Sequence, residues 1–313
     1  MAQKNNKRGI LAKIETTYGV DATPTGAANA IQVFNLDVQP LEGSAIERQF
    51  IRPFYGSGGA VRVENYGSMT FEVELAGAGA AGTAPKWGPL LQAAGFAETI
   101  STGVDVAYDP VSSGEKSLSI YYYLDGRRSI FLGARCSACS LVLSAKQIPS
   151  LRFTFLGLIG TFSDTALPTF DTTGFQVPAT VSTANTTGLS LHGFAAAKYE
   201  SLTIDLGPKA VYRQLVGGES VEMTGRAVTG QISMEATLLA TFDPFTKAKN
   251  ASTGAFAVQH GQVAGNIISV TAPKMQFDTV TEADSDGIAM WNLGMKFQTS
   301  AATGNDEIKI TVK

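Results

Sequence analysis

With 313 residues, 16% of them charged, and a net charge of -3, the chain has material for two domains, each with a buried core. It offers no basic surface for nucleic-acid binding by counterion release. Charge this sparse, with Gly, Ala, Ser and Thr abundant, leaves wide surface suited to burial against other subunits. The longest apolar run, residues 153–162, is too short to span a bilayer, so a soluble protein made in a reducing cytoplasm is expected, with no membrane partner.

Residues 1–20 read as a basic, polar N-terminal arm, ordered only against a neighbour, and lacking the apolar centre of a signal peptide. Residues 31–38 alternate as a first strand. Residues 42–66 carry Glu42, Glu47, Arg48, Arg52, Arg62 and Glu64 around Pro53 and a glycine-rich tip. They read as a long extended loop or hairpin between two strands, and loops of this length in compact domains are usually functional. Residues 68–75 give the clearest strand, with Phe71, Val73 and Leu75 on one face and Glu72 and Glu74 on the other. A small-residue loop follows, then a short helix within residues 85–95, regular only in its latter part because of Gly88-Pro89. Further strands are expected at 118–124, 129–132, 140–143 and 151–158, with Asp125-Gly126 as a hairpin turn. Cys136 and Cys139 fall in strand, where residues three apart face opposite sides. No second pair exists to complete a zinc site, so the C-x-x-C is read as structural. Residues 163–188 are rich in Thr, Ser, Pro and Gly and read as a linker. Beyond it come a short helix begun by Asp243 as N-cap and Pro244, and strands at 256–260, 267–270, 274–277 and 290–297.

The two sides of that linker repeat one another. Residues 67–75 align without a gap on 230–238, sharing Gly, Glu and Leu and keeping Met69/Ile232, Phe71/Met234 and Val73/Ala236 apolar. Leu36-Asp37-Val38 with Arg48-Gln49-Phe50 is echoed by Ile204-Asp205-Leu206 with Arg213-Gln214-Leu215. Pro85 and Pro244 each open a segment closed by Gly95 or Gly254. The charged loop recurs at 207–229. A repeat of this length suggests a duplicated domain rather than an array. The organisation expected is an arm (1–20), a first domain (21–162), a linker (163–188) and a second domain (189–313). Each domain is mainly β, a small sandwich or barrel with one short flanking helix.

The order of strand, charged loop, Gly-x-x-x-[Phe/Met]-Glu strand, small-residue loop and Trp87-Gly-Pro-Leu-Leu-x-Ala-x-Gly-Phe96 resembles the major tail tube proteins of long, flexible-tailed bacteriophages. The likeness extends over most of residues 8–313. It implies tail-tube domains of two packed sheets flanked by a helix, assembling into stacked rings that form a hollow tube for DNA delivery, with no catalytic, cofactor or metal site. Two fused domains favour a trimeric ring of sixfold pseudosymmetry; a hexamer with one copy as outer decoration is the alternative. The resemblance also implies a virion location after assembly in the host cytoplasm, a tape-measure protein and DNA inside the tube, and a terminator at one end.

Stacked identical rings need complementary upper and lower faces, since head-to-tail association grows an open filament. Lys4, Lys7, Arg8 and Lys13 of the arm are expected to dock on an adjoining subunit. Arg48, Arg52 and Arg62, with Arg213 and Arg226 in the second copy, are expected to cross between rings. A channel must pass DNA without holding it, which suits acidic or small polar linings; Glu72, Glu74 and Glu235 are the candidates. Other signals carry little. Residues 77–82 match G-x-G-x-x-G without the βαβ units a dinucleotide fold needs, and His192 and His260 lack partners for catalysis or metal binding. Trp87 and Phe96 are read as anchors of the helix on the sheet. The sequons at Asn185 and Asn250 are chance matches in a protein without a secretion signal. A virion decoration or carbohydrate-binding β-sandwich, and more remotely a hydrolytic one, are the competing classes.

Overall fold

A computed structural model describes residues 2–313, which form a mainly β protein with three short helices among them. The first half holds β1 (Arg8–Ile14), α1 (Gly26–Asn29), β2 (Ala30–Ile31), β3 (Phe34–Glu42), β4 (Ala45–Glu47), β5 (Ala60–Arg62) and β6 (Tyr66–Glu74). It continues through α2 (Gly88–Gln92), β7 (Phe96–Ser101), β8 (Asp105–Pro110), β9 (Leu118–Leu124), β10 (Arg127–Ser144) and β11 (Ser150–Asp164). The second half holds β12 (Thr186–Leu191), β13 (Tyr199–Asp205), β14 (Pro208–Leu215), β15 (Gly218–Arg226), β16 (Thr229–Glu235) and α3 (Pro244–Lys249). After α3 come β17 (Thr253–His260), β18 (Ile268–Ser285), β19 (Ile288–Phe297) and β20 (Lys309–Val312).

Both halves pair their strands in one antiparallel order: β1-β9-β10-β11-β6-β3 first, then β12-β17-β18-β19-β16-β13. Met69 stands opposite Val38 and Phe155, as Ile232 stands opposite Leu202 and Leu293. Val38 therefore matches Leu202, and the likeness of residues 36–38 to 204–206 is out of register. The apolar pattern of the two strands repeats so evenly that similarity of residue type alone cannot choose among registers. The base of the charged segment settles it. Gly43 (φ 124) and Gly207 (φ 60) both hold left-handed backbone, and a Cβ on either would overlap the carbonyl oxygen of Glu64 or Ala227. Each glycine opens a hairpin, β4–β5 or β14–β15.

The halves are spliced, not merely tethered. Ser140–Ser144 of β10 pairs with Asp205–Ser201 of β13, so β3-β6-β11-β10-β13-β16-β19-β18 is one continuous sheet. A second tie is the β7–β8 hairpin, whose β8 pairs with β20, itself paired to β18. One hydrophobic core runs through both halves, from Ile10, Phe71 and Trp87 to Phe256, Leu293 and Val312. Separate cores were expected from the repeat; the splice buries the seam and merges them.

Local chemistry explains the elements. Met69, Phe71 and Val73 are buried while Ser68, Thr70, Glu72 and Glu74 face away, the alternation of a strand covered on one side. In β9 nearly every residue is buried, because Tyr121 and Tyr123 meet a second cluster with Leu11, Ala30 and Ile130 on the other face. α2 is held by Trp87, whose indole N–H donates to the Ala76 carbonyl at 2.8 Å. Asp243 caps α3 by accepting from the Thr246 amide at 2.9 Å. Gly95 follows α2 with φ 88, but Gly254 lies inside β17, and the left-handed residue after α3 is Ala251.

Two expectations along the chain change. Residues 8–14, read as part of a free arm, are β1, fully paired along β9 with Ile10, Leu11 and Ala12 buried; the surrounding lysines and arginines mask this short apolar run. The linker, reached by β11 and closed by β12, packs back on the first half: Phe170 meets Tyr123 edge-on at 6.2 Å, and the Asp171 amide donates to Gly26.

Candidate assembly interface

The continuous sheet has one apolar face in the core and one polar face. The polar face gathers Thr70, Glu72, Glu74, Arg152, Thr154, Thr203, Gln231, Ser233 and Glu235, each alternating with buried neighbours. Glu72, Glu74 and Glu235 thus share one surface, Glu72 and Glu235 in matched positions of the two halves. Glu72 accepts from Arg152 Nε at 3.1 Å, Ser150 Oγ at 2.9 Å and Asn35 Nδ2 at 3.0 Å. Partial burial pushes its pKa up, but those bonds outweigh it and hold the carboxyl below its ordinary value. Glu235 is 3.1 Å from Lys198 Nζ. A face of hydroxyls and amides, with its carboxylates partly neutralised, is hydrated and binds phosphate poorly.

At its two ends the sheet is unfinished. Among the described residues β3 pairs only with β6, and residues 278–285 of β18 pair only with β19. In the first half the matching part of β10 is covered by β13. Each open edge is therefore the counterpart of a strand that is paired at the splice. An open strand edge is a template for another chain.

Beside the splice, β14–β15 crosses the first half. Arg135 on β10 donates to Glu222 Oε2 and the Val221 carbonyl, both at 2.8 Å, and lies over the Tyr18 ring. The Tyr18 hydroxyl accepts from the Val221 amide at 2.6 Å, and Tyr212 stacks on Tyr66 at 4.9 Å. Arg226 pairs with Glu307 at 2.6 Å, both largely buried, and donates to the Val111 carbonyl at 2.9 Å. Arg226 is thus a lock inside one chain rather than a group open to a neighbouring ring, since the folded-back hairpin places it against the first half; Arg213 stays exposed on β14. Tyr18, Tyr66, Arg135, Glu222 and Glu307 carry this joint, and sequence reading missed them. The recurrence of a charged segment at matched sites was the available signal, but it does not say which surface the segment meets.

The β4–β5 hairpin has no such seat. All residues of β4 and β5 are exposed. Arg48 and Arg52 flank the Phe50 ring, at 4.7 and 5.1 Å, and Arg62 donates to the Glu42 carbonyl and Asn65. At the N-terminus, the Lys4 amide and the Lys7 ammonium meet Asp125, while Arg8 and Lys13 are exposed positions of β1. These four basic residues are attached to this chain's own sheet.

The remaining candidates are structural. A bulge between Cys136 and Ala138 resets the strand alternation, so Cys136 and Cys139 both point into the core as free thiols. Their expected opposite orientation fails at that bulge. The Gly77 amide donates to Asn266 Oδ1 at 2.6 Å, and a Cβ there would overlap the Gly265 carbonyl oxygen, so this glycine serves close packing between loops. His260 is buried, with Nε2 against the Ala179 carbonyl at 3.0 Å and Nδ1 against the Thr186 hydroxyl at 2.9 Å. Among the described residues no three His, Cys, Asp or Glu gather as metal ligands, and no helix is long and apolar enough to cross a membrane.

A mainly β chain whose repeated halves form one sheet with open edges defines a structural building block. The family model described as phage tail tube protein matches residues 5–312, nearly the whole chain. The chain belongs to that family, which makes it a structural protein of the bacteriophage tail tube, located in the tail of the virion. A search of curated proteins finds no match.

Proposed function

We propose that three copies close into a ring of sixfold pseudosymmetry, and that such rings stack into the tail tube of a siphovirus-type phage, through which the genome leaves. The single observation that carries this reading is the β10–β13 splice. It is a worked example, inside one chain, of the joint that the open edges of β3 and β18 would make between chains. The size agrees. Three eight-stranded sheets, with strands about 4.8 Å apart and tilted about 40°, enclose a barrel roughly 50 Å across at the backbone. Two sheets give roughly 30 Å on the same rule, leaving little room for hydrated duplex DNA once side chains line the wall.

The polar face of the sheet, with Glu72, Glu74 and Glu235, faces the channel in this reading, and the apolar face packs outward under β9, β17 and the helices. Lys4, Lys7 and Arg8 project from the rim beside Asp125, where a stacked ring would meet them, while Lys13 lies toward the far end of β1 opposite Ser119. A tape-measure protein and passing DNA occupy the lumen, and a terminator caps one end. The hexamer with an outer decoration is disfavoured because both halves contribute matched strands to one sheet.

Cryo-electron microscopy of tubes grown from purified protein tests the reading. Three chains per ring, with Glu72 and Glu235 on the lumen wall, is the expected result. Six chains per ring, or uniform monomers at high concentration, would refute it.

A further inference from the structure

The geometry points to a lateral clamp: the β4–β5 hairpin with its tip, residues 43–64, seats on the second half of an adjoining copy. It would cross β18 and β19 as β14–β15 crosses β10 and β11 within the chain. This rests on the ring reading and concerns the side-by-side joint rather than the stacking of rings.

Three observations carry it. The hairpins are the same device, leaving the sheet between matched strands (β3 and β6, β13 and β16) through the same left-handed glycine, Gly43 or Gly207. One is satisfied and the other is not. β14–β15 buries Val221 and stacks Tyr212 on Tyr66. β4–β5 and its tip present Ile46, Ile51, Phe54, Tyr55 and Val61 to solvent, with Ile51 and Tyr55 fully exposed at 107% and 105%. An apolar group of this size on a protruding hairpin marks an interaction site. Finally, the place for it is open. In the first half the hairpin lies on the strands next to its own splice; the strands next to the open β3 edge, once closed, are β18 and β19 of the neighbour.

Within the chain, basic Arg135 on β10 receives acidic Glu222 from the hairpin. On β18 the register counterpart of Arg135 is Thr279, and the neighbouring Asp278 is 2.7 Å from Lys296 Nζ on β19, so the two seats differ in charge. Position is defined as well. Tyr212 lies as far beyond Gly207 as Arg48 lies beyond Gly43, and Tyr66 opens β6 as Thr229 opens β16. Arg48 of one copy should therefore lie against Thr229 of the next.

The full-length double variant Arg48→Cys/Thr229→Cys tests this directly, because the native thiols are buried. Under mild oxidation of assembled rings, covalent trimers should form at least tenfold more than with either single variant. Replacing residues 49–58 by a tight turn should leave the melting temperature of the monomer unchanged and cut ring yield at least tenfold. Wild-type ring yield from the shortened hairpin, without cross-linking in the double variant, overturns the clamp and leaves the ring reading intact. Single rings that fail to stack would assign the hairpin to the axial contact, which also overturns the lateral seat. Absence of any rings from the wild-type protein overturns both.

Discussion

Arg226 is the residue whose replacement says most about how the halves are held. Its guanidinium is 2.6 Å from Glu307, with side-chain exposures of 12% and 10%, and it also bonds the Val111 carbonyl and Asn305. Arg226→Met keeps much of the side-chain volume but strands the Glu307 carboxylate, whose second oxygen already lacks a partner. Breaking one side of a buried pair costs about 3–5 kcal/mol. For a chain of this size that is a fall in melting temperature of roughly 6–10 °C, at about 2 °C per kcal/mol. Glu307→Gln should cost a comparable amount, whereas the double variant should recover a large part, because neither charge is then left alone. Thermal unfolding of the unassembled protein, followed by circular dichroism for all four members of the cycle, measures the coupling. A loss under 2 °C for Arg226→Met, or strictly additive losses in the double variant, would show that this pair does not fasten the hairpin.

Three further outcomes follow from the same contacts. Burial holds the His260 and His192 imidazoles below their ordinary pKa, so the unfolded chain binds protons first as pH falls below about 6.5. Stability should be full above that value and decline as pH drops through the folded pKa values; melting temperatures rising between pH 7 and 5, or a His260 resonance titrating near 6.5, would contradict this. Cys136 and Cys139 should resist thiol reagents in the native protein and react only after denaturation, because both are buried and burial pushes the Cys139 thiol pKa up; rapid labelling of the folded protein would count against the bulge geometry. Tubes of Glu74→Lys/Glu235→Lys should retain short DNA at low salt and release it as salt rises, with an added slope of about 0.9 per phosphate contact. Unaltered DNA retention would place those residues away from the lumen.

Much of this architecture could be read in the residues, because strands that keep one face dry repeat every second position. The β6 and β16 motifs, helices α2 and α3 and the Asp125-Gly126 turn all obey local rules, whereas the single turn of α1 goes unread. The misses have definite causes. β1 hides among basic residues, and β10 reads as two strands because Gly133 and the bulges interrupt its alternation. β18 reads as two strands in the same way because Pro273 interrupts it. The offset of β3 against β13 could not be chosen from apolar type alone. Of the candidate positions, the carboxylates on one face were legible from alternation. The role of Arg226 was not, since its partners Glu307 and Val111 are distant in sequence and only the folded hairpin brings them together.

The splice has a kinetic consequence. A seam between segments of one polypeptide closes at an effective local concentration in the millimolar range, whatever the protein's abundance. The intrachain seam is thus present before any two molecules collide, and only the open edges answer to dilution. Closure through those edges should then show the concentration dependence of a single kind of encounter, and the covalently shared seam spares part of the translational and rotational entropy that separate half-size blocks would lose.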